Sequence, residues 1–363
     1  MDYLVSVVVP TKNRYKYLKV LIKLIDSFNL PELEMVIQDN SDNNSEILEY
    51  LKSFSNPNIK YYHSDDKLTM SGNAELGIKN ATGEFICYIG DDDGVCRNIV
   101  DCVKWMKEQS IEVAYTPSAW YHWSGRLKLT RKKKLVEYYE ADKELQNLRK
   151  RGMLLSEAEL PLLYHGIVSR AVIERMYNAQ GSLFLSVPPD IAGSIFLATQ
   201  IERYAKINVP VVINGISSAA GGGVLNKGGV ISLEEVSFIT RKDIDEWETC
   251  IPPIWCGSYA WTQSGMKTFR RLGRDADAEH FNLDYCLAHA IALRPHKKEL
   301  WKQGWKYCRS KLGLSIEIIW QLVRKYVIKI HNNIPAFVLD VKGISNVIDA
   351  EAFYMKHKGV DFC

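Results

Sequence analysis

What this 363-residue sequence lacks narrows it first. It has no Cys-x-x-Cys pair and no zinc-type ligand spacing. Its eight cysteines are scattered, as small core residues of a reducing compartment are. No uncharged apolar run is long enough to cross a bilayer. The opening residues, MDYLVSVVVP, pass directly into a strand pattern without a basic stretch, so no secretory leader is expected. A net charge of +3 carries no global signature of nucleic-acid binding. No Gly-x-Gly-x-x-Gly follows the first strand pattern and no Walker loop occurs anywhere, which weakens dinucleotide and P-loop readings. These absences lead us to expect a soluble, cytoplasmic protein, with a membrane surface the one larger contact left open.

What is present is an acidic loop. Phe85-Ile86-Cys87-Tyr88-Ile89 has the aromatic and β-branched composition of a strand buried on both faces, and it ends in Gly90 and three carboxylates, Asp91, Asp92 and Asp93. Three like charges at a strand end need a cation or strong donors. Hard oxygens at that density suit Mg²⁺ or Mn²⁺ held together with substrate phosphates. The plainer reading is a solvated turn at Asp93-Gly94.

Strand patterns at Leu4–Val9, Leu33–Gln38, Asn58–Tyr62, the acidic strand and Glu112–Thr116 alternate with helical ones. That alternation means βαβ units and a mostly parallel sheet flanked by helices. Right-handed crossovers then bring Thr11, Asn13 and Arg14, Asp39 and Asp91–Asp93 to one edge, where open α/β sheets bind ligands. Further on we expect a hairpin around Ser124-Gly125 and a solvated basic run at Arg131–Lys134. A charged helix over Leu135–Leu155, a helix from Pro189 to about Tyr204 and a strand over Asn208–Asn214 follow, then a flexible loop at Gly215–Gly223. Beyond Gly229 come repeated helical patterns, the last at Ser315–Ile330. That last segment reads as a helix packed on the main lobe, or as a basic amphipathic helix on anionic lipid through Arg324, Lys325 and Lys329.

The stretches VSVVVPTKNR (Val5–Arg14), VIQDNSD (Val36–Asp42) and GNAELGIKNATGEFICYIGDDD (Gly72–Asp93) resemble, in order and spacing, the family-2 glycosyltransferases of the GT-A fold. The resemblance implies a Rossmann-like sheet with a C-terminal helical region. Residues 1–117 would be the nucleotide-sugar half, 118–228 the acceptor-side half and 229–363 the helical region. It implies Asp39 on the nucleotide base, and Pro10 and Thr11 lining the base and ribose pocket through backbone groups. Asn13 and Arg14 would lie on the donor side. The DxD motif falls on Asp91-Asp92-Asp93, with Asp93 as metal ligand and Asp91 facing the ribose. Many relatives carry Asp where this chain has Gly90. Asp42 and Asn73 are weaker donor-side candidates whose simpler readings are an Asx-turn carboxylate and a helix-start amide.

An inverting member also needs a carboxylate beyond the DxD motif as general base. Asp190, in SVPPD before a helix, is the candidate, with an N-cap as its structural alternative. His122 and His165 read as core histidines. The QxxRW motif of processive synthases is missing, since Gln146–Lys150 lacks its Trp, which points to transfer of a single sugar. The expectation is a metal-dependent inverting glycosyltransferase using a nucleotide-sugar donor, UDP first, on a glycan or lipid-linked acceptor, at family level in bacterial surface polysaccharide synthesis. A nucleotidyltransferase is the competing enzyme, and Pro10 stands where its glycine-rich loop would begin. A non-catalytic carbohydrate- or nucleotide-binding module is the competitor from another class.

Overall fold

The computed structural model describes residues 3–65, 67–130, 134–218, 230–236, 239–332 and 338–358. The first half runs β1 (Val5–Thr11), α1 (Tyr15–Asp26), β2 (Leu33–Asp39), α2 (Ser45–Leu51), β3 (Ile59–His63), α3 (Met70–Asn80), β4 (Phe85–Tyr88), β5 (Gly94–Val95), α4 (Ile99–Glu108) and β6 (Val113–Tyr115). Then come β7 (Ala119–His122), β8 (Arg126–Thr130), β9 (Val136–Glu140), α5 (Ala141–Lys150), β10 (Gly166–Ser169), α6 (Arg170–Gln180), α7 (Pro189–Ala198), β11 (Arg203–Ile207) and β12 (Val212–Ile216). The last part holds β13 (Ile231–Ser232), α8 (Arg241–Asp245), β14 (Ile254–Trp255), α9 (Gly257–Arg271), α10 (Asp275–Glu279), α11 (Leu283–Leu293), α12 (Lys298–Tyr307), α13 (Lys311–Asn332), β15 (Val338–Lys342) and α14 (Val347–Lys358).

The main sheet has the order β3-β2-β1-β4-β10-β6-β11-β9, with only β10 and β9 antiparallel to the rest. β1 and β2 are buried along nearly their whole length. Their near-continuous apolar runs are what a sheet covered on both faces requires. One core lies between the sheet and α1, α4 and α14; the other joins α3, α5, α6 and α7 to α9 and α11. In register Thr11 stands beside Asp39, and Val8 beside Tyr88, so the loops after β1, β2 and β4 leave from one edge.

A second sheet, β15-β8-β7-β12-β5, meets that edge. β7 and β8 form the expected hairpin, turning through Gly125 at φ +93°. β5 directly follows the three aspartates and pairs with β12, Ile213 against Gly94.

Several expected helices give way to tertiary context. Over Leu135–Leu155 the chain first forms β9, because Val136–Glu140 pairs antiparallel with β11, and only then α5. The helix starting at Pro189 stops at Ala198, since Arg203–Ile207 is claimed by the sheet. Of the strand expected at Asn208–Asn214 only Val212–Asn214 lie in one, β12; the residues before them, Pro210 included, connect it to β11. After Gly229 the region is not purely helical: β13 and β14 pair, and β15 returns to β8. The pattern over Ala276–Leu293 splits into α10 and α11, where Asn282 caps α11 by accepting from the Tyr285 N–H. Residues 131–133 of the basic run and 219–223 of the glycine-rich loop lie outside the described residues.

Candidate active site

The acidic loop is neutralised by the protein's own groups. Thr11, at the end of β1, donates its hydroxyl to Asp91 Oδ2 at 2.7 Å. Arg14, just before α1, places one guanidinium nitrogen 3.2 Å from Asp91 Oδ1 and 2.8 Å from Asp92 Oδ2, and donates to Ser217 Oγ at 3.0 Å. The guanidinium lies over the Tyr17 ring, which packs edge-on against Trp123. Trp123 in turn donates its indole N–H to the Asp92 carbonyl at 2.8 Å. Burial pushes the Asp91 carboxyl up to about 7, against the pull of Arg14 and Thr11 and with Asp92 and Asp93 adding to it.

Asp93 faces inward and is fully buried. Its Oδ2 accepts from the Gly90 N–H (2.6 Å), Tyr164 hydroxyl (2.9 Å) and His165 Nε2 (2.6 Å), and its Oδ1 from the Gly215 N–H (2.6 Å). Burial alone would raise its pKa, yet the His165 imidazole and the two backbone donors hold it below the usual carboxylate value. Gly215 is required here: a Cβ on it would stand 1.7 Å from the Asp92 carbonyl oxygen. Gly90 is likewise confined, its Cβ position lying 2.9 Å from the Tyr164 hydroxyl.

On the donor side the structure revises three expectations. Asp39 is fully buried, with Oδ2 taking the Tyr15 and Tyr61 hydroxyls (2.7 and 2.8 Å) and Oδ1 the Ser41 N–H (2.8 Å). It ties the start of α1 and the loop after β2 to the end of β2. Asn73 is no helix-start amide. Thr69 caps α3, while Asn73 is buried within it and donates to the Thr11 and Gln38 carbonyls at 3.2 Å each. Asp42 is exposed and accepts from Asn13 Nδ2 at 2.8 Å, with Asn13 itself at φ +57°. Pro10, half-buried, stands beside Gln38 in the β1–β2 register.

Asp190 is brought to the same edge from the far half of the chain. It is not an N-cap: Pro188 caps α7, Pro189 follows, and Asp190 lies in the first turn with Oδ1 accepting the Ile191 N–H at 2.9 Å. Burial raises its pKa against the Ile191 N–H, the Trp261 side chain and the charge of nearby His165. His165 thus bonds Asp93 and its charge also acts on Asp190; its ring is 3.7 Å from that of Tyr164 and its backbone at φ +67°. Reading it as a core histidine missed this link. The sequence signal was slight, a Tyr-His pair directly before the Gly that opens β10. His122 lies on the hairpin, its pKa lowered by burial and by Lys128 and Arg126. Trp123, Gly215 and Ser217 carried no signal.

Asp93 does not fit the role of metal ligand expected for it, because four donors already fill its oxygens. Among the described residues no three His, Cys, Asp or Glu side chains are grouped to hold a metal. Asp91 Oδ1 and Asp92 Oδ2 accept no hydrogen bond and converge on the Arg14 guanidinium. Two hard oxygens facing one cation fit a divalent ion completed by water and phosphate oxygens.

The family described as glycosyl transferase family 2 matches residues 6–156. The GalNAc(5)-diNAcBac-PP-undecaprenol beta-1,3-glucosyltransferase of Campylobacter jejuni is 34% identical over 91 residues, 24% of this chain and 29% of that protein. Glycosyltransferase GlyG of Streptococcus pneumoniae is 30% identical over 103 residues, 28% of this chain and 34% of that protein. The matched stretches thus span about a third of these relatives' length. Among solved structures, S. aureus TarS 1–349 in complex with UDP-GlcNAc is similar at a TM-score of 0.49 and 15% identity, over 92% of this chain and 81% of that one. The family match contains the strands and loops that carry Thr11, Arg14, Asp39 and the three aspartates, and it ends before His165 and Asp190. Over residues 6–156 the chain is thus similar to glycosyl transferase family 2.

Proposed function

We propose that the chain transfers one sugar, with inversion, from a nucleoside-diphosphate donor to a glycan or lipid-linked acceptor in polysaccharide synthesis. A UDP-sugar is the first choice of donor, from the family resemblance. The lipid-linked class draws on the Campylobacter relative, which is named for a GalNAc(5)-diNAcBac-PP-undecaprenol acceptor. Asp91 and Asp92 would hold Mn²⁺ or Mg²⁺, which neutralises charge developing on the leaving diphosphate. Arg14, already between these carboxylates, turns to the diphosphate oxygens. Asn13, Asp39 and Asn73 fix the loops whose backbone, with Pro10 and Thr11, borders the nucleotide. Asp190 takes the proton of the acceptor hydroxyl as its oxygen bonds to the anomeric carbon and the bond to the diphosphate breaks on the opposite face.

The observation carrying this reading is that Asp190, nearly a hundred residues after the acidic loop, lies near enough for its charge to interact with that of His165, the group bonded to Asp93, and has its pKa raised by burial as suits a base. Asp190→Asn keeps the oxygen that accepts from Ile191 but cannot take a proton. Turnover should fall by roughly 10²–10⁴, with donor affinity and melting temperature held. Near-normal turnover in a folded variant would remove Asp190 from the mechanism.

A further inference from the structure

α13 is amphipathic in the wrong sense for a helix on a globular surface. Its inner face, with Leu314, Ile318 and Gln321 buried, lies along α11. Arg324 pairs inward with Glu157, and Lys325 Nζ donates to the Ala292 carbonyl at 3.0 Å. These contacts fix which side faces out, and that side is apolar. Leu312, Ile316, Ile319, Val323, Tyr326 and Ile330 recur at alternating four- and three-residue steps and are 49–72% exposed. Trp320 and Val327, also exposed, widen the stripe. A polar outer face is the rule, and a continuous apolar one of this length marks a contact surface.

The charge around the stripe identifies the partner. Residues 294–330 hold ten Lys and Arg against two Glu, a net +8 in a chain whose total is +3. Exposed Lys298, Lys306, Lys311 and Lys329 have no ion pair within 4.0 Å among the described residues, and exposed Trp305 lies among them on α12. A second copy laid along the same stripe would set the unpaired Lys311 and Lys329 against like charges with only Glu317 to offset them. Headgroups of an anionic bilayer satisfy the lysines, and acyl chains take the stripe. Among the described residues no helix is long and apolar enough to cross a membrane, so this one would lie in the interface.

We propose that α13, flanked by the basic α12, is a docking surface for an anionic lipid bilayer. Of the residues expected to make lipid contact, Arg324 pairs inward with Glu157 and Lys325, though exposed, is engaged by the Ala292 carbonyl, which leaves Lys329. The proposal does not depend on the donor or metal assignments above.

The test is co-sedimentation of the full chain with phosphatidylcholine vesicles, with and without phosphatidylglycerol, at low and high salt. Binding should require phosphatidylglycerol and weaken at least about tenfold in high salt. Ile319→Glu with Val323→Glu, both at exposed positions, should lower binding at least about tenfold with the melting temperature unchanged. Should that variant be destabilised, Lys298→Gln, Lys306→Gln and Lys329→Gln decide, each expected to weaken binding about fivefold. Three results would each overturn the proposal: no vesicle binding, equal binding to neutral vesicles, or a soluble dimer split by the double-Glu variant.

Discussion

Three adjacent carboxylates persist in this fold because two sets of partners divide them. Arg14 serves Asp91 and Asp92 from the solvent side, while His165 and two backbone N–H groups serve Asp93 from within. Charge-assisted bonds of this kind are stronger than neutral ones, and a buried donor left without an acceptor costs on the order of 1–3 kcal/mol. The two substitutions should therefore separate. Asp92→Asn should leave the melting temperature nearly unchanged and abolish the Mn²⁺-dependent part of UDP affinity in a calorimetric titration. Asp93→Asn should lower the melting temperature, because its new amide N–H₂ meets donors where acceptors are needed. A stable Asp93→Asn protein that had lost only its metal response would return the metal to Asp93. The same distinction was out of reach of the sequence. Order along the chain shows that carboxylates follow a strand, but not which of them faces inward.

At the scale of elements, the parallel frame was legible because β1, β2 and β4 are apolar runs stopped by polar loops, and their register then places the loops. The partner of that frame was not legible. β12 sits in the second sheet between β7 and β5, and it delivers Gly215 to Asp93 and Ser217 to Arg14 from more than a hundred residues away. No local pattern marks such a contact. Gly215→Ala should push β12 off the acidic loop, since its Cβ would overlap the Asp92 carbonyl. A lowered melting temperature together with weakened UDP binding is expected, and unchanged values for both would show that the contact is loose. Asp39 offers the complementary case. Asp39→Ala strands the Tyr61 hydroxyl and the Ser41 N–H and leaves the Tyr15 hydroxyl only the Asn43 carbonyl, so stability should fall by about 2–4 kcal/mol in urea unfolding. Tyr61→Phe, which leaves the Tyr15 and Ser41 bonds in place, should cost less than half as much. Equal losses would mean that Tyr61 alone accounts for the burial of Asp39.

Across the whole molecule, the last third is tied into the sheets of the first two. Glu351 of α14 pairs with Arg97 before α4, and the Tyr121 hydroxyl of the second sheet donates to the Ile344 carbonyl. α11 runs through the core, and the expected helices of this region owe their real boundaries to such contacts. One buried histidine there makes the attachment sensitive to acid. His289 on α11 bonds Ser258 at 2.9 Å and lies 3.7 Å from Glu157, whose carboxylate is already engaged by Arg324 of α13 and by the Tyr285 hydroxyl (3.1 Å). Burial, with Arg294 adding to it, lowers the His289 pKa to about 4. Above pH 6.5 the ring is neutral in both folded and unfolded chains and contributes no pH dependence. As pH falls below 6.5 the unfolded chain takes a proton that the folded one refuses until about pH 4, so stability is lost across that window. A shift of this size corresponds to on the order of 3 kcal/mol at its acid end. Asp91, whose pKa is raised, works in the opposite sense, because the folded chain holds its proton more tightly as pH falls. Comparison with His289→Gln isolates the histidine from it. The wild-type protein should lose more stability than the variant between pH 7 and pH 4.5 in parallel urea titrations. Parallel curves over that range would mean that His289 is protonated in the fold, held by Glu157 in spite of its burial.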